Sequence, residues 1–166
     1  MNINHPIYKL TILPYLEKDR ADFVEIFMDE KLCQHMSGGA FEEEKDAEKL
    51  FDHLLKLNLY EKQISKSFGI FCAENLIGHF ELNQNNFTEI DELEIVYLLI
   101  NKYWGKGIMK EIIRHFQESF KQKMIARVQL NNFNSLKMLE KLGIEKQTIS
   151  KFNHSKVLKI TLNPLV

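Results

Sequence analysis

The chain has 166 residues, 45% of them apolar, and carries 22 Lys and Arg against 23 Asp and Glu, a formal net charge of −1. Such a length suits one domain and such an apolar share can bury a core, whereas the near balance of charge supplies no general attraction to nucleic acid or to an anionic membrane surface. The opening MNINHPIYKLTILPYLEKDR lacks the basic start, apolar block and cleavage site of a signal peptide, and no apolar run nears the ~20 residues of a membrane span, so a cytoplasmic protein is expected.

In chain order, IYKLTIL reads as a strand, and Phe23, Val24 and Phe27 mark a helix over about residues 18 to 30. CQHMSGGAF reads as a loop. From Phe41, the spacing of Ala47, Leu50, Phe51 and Leu54 predicts a second helix to about Leu57. Glu42, Glu43, Glu44 and Asp46 lie at its start, where carboxylates meet the positive end of the helix dipole. SFGIFCA and LIGHFELNQ, joined by a turn at Glu74 and Asn75, form a hairpin. ELEIVYLLI is a third strand, and its unbroken apolar run after Glu94 predicts cover on both faces and a place at the sheet's centre.

Past Gly105 and Gly107, Ile108, Ile112, Phe116 and Phe120 recur every four residues with Lys110, Glu111, Arg114 and Glu118 off the stripe, which predicts a helix packed on the sheet. MIARVQL alternates as a strand, and NSLKMLEKLG is a shorter helix ended by a left-handed cap at Gly143. Strands over about 145 to 152 and 156 to 163 close the chain around a turn at Asn153 and His154. The order β-α-α-β-β-β-α-β-α-β-β describes one mixed α/β domain over residues 1–166, undivided by any linker or repeat.

The stretch YWGKGIMKE sets two glycines at the mouth of a helix. A helix start has main-chain N–H groups without intrahelical partners and a partial positive charge, and glycine lets the backbone approach a ligand closely, so this is a place for an anion such as a phosphate. A plain turn would use the same two residues. There is no GxxxxGK followed by Ser or Thr, and no third glycine for GxGxxG, so neither a Walker loop nor a dinucleotide fingerprint is present.

EIVYLLINKYWGKGIMKEII, followed after a strand by NNFNSLKMLEKLGI, resembles the cofactor-binding core of the GNAT acyl-CoA-dependent N-acetyltransferases. The family's glycine motif, Q/R-x-x-G-x-G/A, maps onto Lys102, Tyr103, Trp104, Gly105, Lys106 and Gly107, with Lys102 departing from Gln or Arg. YWGKG and NxxSxxxLEKLG are especially similar to the branch that includes ribosomal-protein N-terminal acetyltransferases. The resemblance implies a GNAT-like α/β fold: a central, mixed, mostly antiparallel sheet of about seven strands flanked by about four helices. It implies acetyl-CoA as cosubstrate, its pyrophosphate held by main-chain N–H groups from Lys102 through Ile108 to Met109. The pantetheine arm would lie between two splaying parallel strands, EIVYLLI and MIARVQL. Asn132 matches the family asparagine beyond the second strand and Ser135 its serine partner, although an asparagine there also suits a plain helix cap.

Acyl transfer to an amine needs a base, an oxyanion donor and an acid for the leaving thiolate. The resemblance implies Glu94 as the base, with Glu92 and Glu81 in reserve, and a main-chain N–H near Val96 or Tyr97 as the oxyanion donor. Many relatives place an acidic tyrosine four residues before the last helix's glycine, where this chain has Leu139; Ser135 is the substitute, either at the thiolate or only in contact with the cofactor.

The implied acceptor is a primary amine, on a protein N-terminus or on a small molecule such as a polyamine or an aminoglycoside. The alternative is a non-catalytic acyl-CoA-binding module. Monomer and homodimer are both open, and a nucleic-acid or membrane partner is not expected. The six histidines show no ligand spacing and no metal is expected. Cys33 and Cys72, far apart and in no CxxC pair, read as free thiols, Cys33 in a polar loop and Cys72 in the core. Trp104 is expected to pack against the following helix, and the acidic residues around Glu44 to be a solvated helix start.

Overall fold

The computed structural model describes residues 1–3, 5–59, 65–85, 88–152 and 155–165. Its elements are β1 (Asn2–Ile3), β2 (Leu10–Leu13), α1 (Arg20–Met28), α2 (Glu30–Cys33), α3 (Glu44–Leu59), β3 (Lys66–Cys72), β4 (Asn75–Asn83) and β5 (Glu92–Leu99). These are followed by α4 (Ile108–Ser119), β6 (Lys123–Gln129), α5 (Phe133–Glu140), β7 (Ile144–Phe152) and β8 (Ser155–Leu162). The chain divides into two compact units, residues 1–82 with 96–106, and residues 83–95 with 107–166.

In the first unit β1, β2, β3 and β4 pair antiparallel in sequence order. The second half of β5 lies beside β4, where the Ile100 N–H donates to the Ile77 carbonyl at 2.9 Å. The core of this unit gathers Tyr15, Phe23, Phe27, Phe51, Phe71 and Leu98 with Cys33. α1 presents Phe23, Val24, Ile26 and Phe27 to the interior, and α3 presents Ala47, Phe51 and Leu54 at helical spacing. In the second unit the first half of β5 pairs parallel with β6, β6 pairs antiparallel with β8, and β8 with β7. Among the described residues the sheet has eight strands in the order β1-β2-β3-β4-β5-β6-β8-β7, open and mostly antiparallel. β5 is central in that order, as its apolar run predicts.

β5 and β6 register at Glu92 with Lys123, Leu93 with Met124 and Glu94 with Ile125. Among the described residues that pairing stops there, while β6 runs on to Gln129 against β8. α4 buries Ile108, Met109, Ile112, Ile113, Phe116 and Gln117, and the Gln117 amide donates to the Asn163 carbonyl at 2.7 Å.

The structure adds two elements that periodicity could not show, the two-residue β1 and the four-residue α2, where Asp29 Oδ1 accepts from the Lys31 and Leu32 N–H groups at 2.8 and 3.0 Å. The hairpin turn falls at Ala73 and Glu74, one residue earlier than expected, because Cys72 pairs with Asn75; Ala73 takes the positive φ of 54° that closes it. The second helix starts at Glu44 rather than near Phe41, and α5 ends at Glu140 with Gly143 beyond it at φ 78°. The expected turn at Asn153 and His154 lies outside the described residues. No described helix is long and apolar enough to cross a membrane.

Gly78 on β4 is dictated by strand contact, since a Cβ there would sit 2.4 Å from the Leu98 carbonyl oxygen. Backbone cannot step aside as a side-chain tip can. Gly78→Ala is expected to lower the unfolding free energy by about 1–3 kcal/mol, seen as an earlier urea midpoint at unchanged slope; an unchanged midpoint would contradict this contact.

Candidate active site

The run from β5 into α4 passes through a 3-10 turn at Asn101–Tyr103 and then Trp104, Gly105, Lys106 and Gly107. Gly105 has φ 69° and Gly107, the N-cap of α4, has φ 78°. A Cβ at either would meet nothing within 4 Å, so these glycines are required by backbone conformation rather than by packing, and the space beside them is open. No side chain caps α4, in contrast to α2, capped by Asp29, and α5, capped by Asn132. The first-turn N–H groups of α4 therefore have no capping side chain among the described residues. Lys102, Gly105, Lys106 and Gly107 are exposed, while the Ile108 and Met109 side chains turn inward and leave their main-chain groups at the helix mouth.

Trp104 departs from the expected packing: it is 41% exposed, and its indole N–H donates to the Leu99 carbonyl. At α5 the Asn132 side chain accepts the Ser135 N–H at 3.2 Å. The cap and its serine thus sit together at one helix start. Leu139 is fully buried, so the position where the resemblance leads one to look for an acidic tyrosine belongs to the core.

Three carboxylates of the sheet are held in different ways. Glu94 is 6% exposed; Arg127 Nη1 lies 2.5 Å from its Oε2, and Asn85 Nδ2 donates to the same oxygen at 3.0 Å. Glu92 accepts from Lys159 Nζ at 2.8 Å on both oxygens and from the Glu89 N–H at 3.0 Å. Burial works to raise the Glu92 pKa, but the Lys159 and Glu89 hydrogen bonds and the charges of Lys159 and Arg127 outweigh it and hold the carboxyl below its usual range.

Glu81 is the most exposed of the three, at 18% of its side chain, and Oε1 lies 2.6 Å from His79 Nε2. His79 is 1% exposed, packed among Tyr15, Phe23 and Phe27, and its Nδ1 lies 2.7 Å from the Tyr15 hydroxyl. A carboxylate only accepts, so His79 Nε2–H donates to Glu81, and in the neutral ring Nδ1 then accepts from Tyr15. Burial first, then the charges of Glu81 and Asp19, push the Tyr15 pKa well above its usual value, which keeps this hydroxyl a donor.

The family described as "Acetyltransferase (GNAT) domain" matches residues 9–145 of the chain. The protein belongs to the GNAT acetyltransferase family. It is 32% identical over 109 residues to "Probable N-acetyltransferase YjcK" of Bacillus subtilis (strain 168), an alignment covering 59% of this chain and 60% of the length of that relative. RimJ of Mycobacterium smegmatis, solved in complex with CoA-disulfide, superposes with a TM-score of 0.77 over 98% of this chain and 86% of its own, at 15% identity. Spermidine N-acetyltransferase from Vibrio cholerae, in complex with CoA and spermine, superposes with a TM-score of 0.74 over 93% of this chain and 95% of its own, at 16% identity. At such identities the two superpositions establish the fold.

Within this GNAT chain, sequence reasoning missed Arg127, Lys159, His79 and Tyr15. The signals were present but faint: Arg127 and Lys159, each between apolar neighbours in its strand, and His79 two residues from Glu81, hence on the same sheet face. Cys33 is also corrected. It is buried in α2 rather than exposed in a loop, its thiol faces the Ile26 and Phe27 carbonyls, and burial, then the charge of Asp29, pushes its pKa up to about 11. Cys72 is only half-buried. Around Glu44, Lys49 pairs with Asp46 at 2.6 Å and Lys45 with Glu43, both largely exposed, as a solvated helix start should be.

Because the folded Glu92 pKa lies below the ~4.3 of an unfolded glutamate, its pairing stabilises the protein above about pH 4–5 and is lost as pH falls through the folded value. Lys159→Met is expected to lower the unfolding free energy at pH 7 by about 1–3 kcal/mol, less than for a fully buried pair, and by less at pH 3. Urea unfolding at both pH values checks this, and an equal loss at both would contradict it.

Proposed function

We propose that this chain is an acetyl-CoA-dependent N-acetyltransferase acting on a primary amine. The observation that carries the reading is the start of α4, which opens on a left-handed glycine, has no side-chain cap and faces open space. Main-chain N–H groups from Lys102 to Met109, with Lys106 and Lys110 nearby, suit a diphosphate. The main chain of β6 beyond Ile125, past its register with β5, suits the amides of a pantetheine arm. Asn132 and Ser135 add polar contacts at the next helix start.

Acetyl-CoA supplies the activated acetyl thioester. The protein's part is to hold it, to receive a proton from the amine, and to stabilise the developing oxyanion with a main-chain N–H near Val96 or Tyr97. Of the three carboxylates, Glu94 is occupied by Arg127 and Asn85 and Glu92 by Lys159, whereas Glu81 is more accessible and is aimed by His79. This reading therefore gives the proton to Glu81, directly or through a water, and gives Glu94 the task of fixing β5. Ser135 is retained as a cofactor contact and as the nearest substitute for the missing tyrosine. The leading acceptor is a protein N-terminal amine, on the branch-level similarity of YWGKG and NxxSxxxLEKLG. A polyamine or an aminoglycoside is the alternative, and a cytoplasmic setting fits all of these acceptors.

A second reading, an acyl-CoA-binding module without turnover, is favoured by one observation, the burial of Leu139 at the acid position. CoA release followed with a thiol reagent across peptide, polyamine and aminoglycoside panels separates the two. Turnover is expected with at least one amine class, and Glu81→Gln is expected to lower kcat/KM by about 10²-fold or more with CoA affinity unchanged. A rise in Tm with CoA but no release with any amine would leave the module reading standing instead.

A further inference from the structure

The N-terminal segment lies against the glycine turn within the first unit. His5 Nε2 is 2.9 Å from the Lys106 carbonyl oxygen. The other ring nitrogen, Nδ1, faces the main-chain N–H groups of Ile7 at 3.3 Å and Tyr8 at 3.2 Å. Two donors aimed at Nδ1 make it the acceptor, so Nε2 carries the hydrogen and donates to Lys106. The Lys106–Gly107 peptide is trans, and in a planar trans peptide the C=O and N–H point in opposite directions. Holding the Lys106 carbonyl therefore sets the direction of the Gly107 N–H, the group that heads the N–H series at the start of α4.

The Lys106 side chain is fixed as well. Its Nζ lies 5.3 Å from the Tyr8 ring centroid and 5.4 Å from that of Tyr103, and the two rings meet edge to face at 5.6 Å. The His5 ring lies 5.2 Å from Tyr8, and the Ala73 N–H donates to the Lys9 carbonyl at 3.1 Å, which ties the segment to the β3–β4 turn. Glycine has more backbone freedom to lose on ordering than any other residue, so a turn with Gly105 and Gly107 gains most from a tether before its ligand arrives.

We propose that His5 and Tyr8 are positioning residues, a latch from the N-terminal segment that presets the glycine turn for the CoA diphosphate. The proposal rests on the reading of that turn as the CoA site. Calorimetric titration of the full chain with CoA tests both separately. His5→Ala is expected to raise the Kd about 3- to 10-fold, the worth of one hydrogen bond. His5→Gln keeps an N–H donor of similar reach and is expected to recover most of the affinity. Tyr8→Leu is expected to raise the Kd about 2- to 5-fold. The double variant should lose less than the product of the two, because both act through Lys106.

Unliganded melting temperatures should stay within about 2 °C of the parent, since the contacts are at the surface. If the parent binds CoA and His5→Ala binds it equally well, the latch is wrong and the CoA reading stands. A loss of affinity that His5→Gln does not recover, or that follows a fall in melting temperature, also overturns the latch. If the parent itself binds no CoA, the reading of the turn fails first.

Discussion

A helix that opens on a left-handed glycine leaves a demand unmet at its first turn, and that demand organises what this protein can do. Relative to the glycine present, a side-chain cap at Gly107 would add only about a few tenths of a kcal/mol to α4. The helix does not need it, because burying Ile108, Met109, Ile112, Ile113 and Phe116 contributes roughly 1.5–3 kcal/mol for each large side chain. Packing so far exceeds capping that the helix start can stay open. The same buried stripe fixes the axis along which the open N–H groups point. An anion that binds there meets donors already in place.

The carboxylates of the sheet show how partners assign different tasks to one side-chain chemistry. Glu92 and Glu94 stand two residues apart on β5, and each is matched by a cation, Glu94 by Arg127 on the adjacent β6 and Glu92 by Lys159 on β8, one strand further out. Breaking such pairs costs more than making them gains, so they specify where β5 pairs rather than supply much net stability. Arg127 is further enclosed by Phe152, whose ring centroid lies 5.1 Å from the guanidinium carbon. Glu81 instead meets a hydrogen-bond chain through a buried histidine and tyrosine. The hydrogen bond from His79 orients the Glu81 carboxylate.

Much of the fold was legible because the apolar spacing is strong where elements are long. α3, α4 and the strands from β3 to β6 follow their periods, and Gly105 and Gly107 declare their backbone in the sequence itself. The short β1 and α2 were not legible, since two or four residues carry no period. The turn at Ala73 was displaced because strand pairing, and not turn propensity, chose which residue took the positive φ. Sequence placed the two glycines at the mouth of α4 but not the side-chain partners of Glu81, Glu92 and Glu94. Trp104 shows the reason: its exposure follows from a hydrogen bond back to Leu99, a contact that no pattern of apolar residues encodes. Tyr15 and His79 stand 64 positions apart, and only folding brings them together.

The central claim is that main-chain N–H groups at one helix mouth grip the diphosphate of CoA. Titration of the ¹⁵N-labelled protein with CoA, followed by amide resonances, tests it most directly. The account predicts saturable shifts concentrated at Gly105, Lys106, Gly107, Ile108 and Met109, present with CoA and absent with pantetheine alone. Shifts confined to other parts of the chain, or none at saturating CoA, would contradict it.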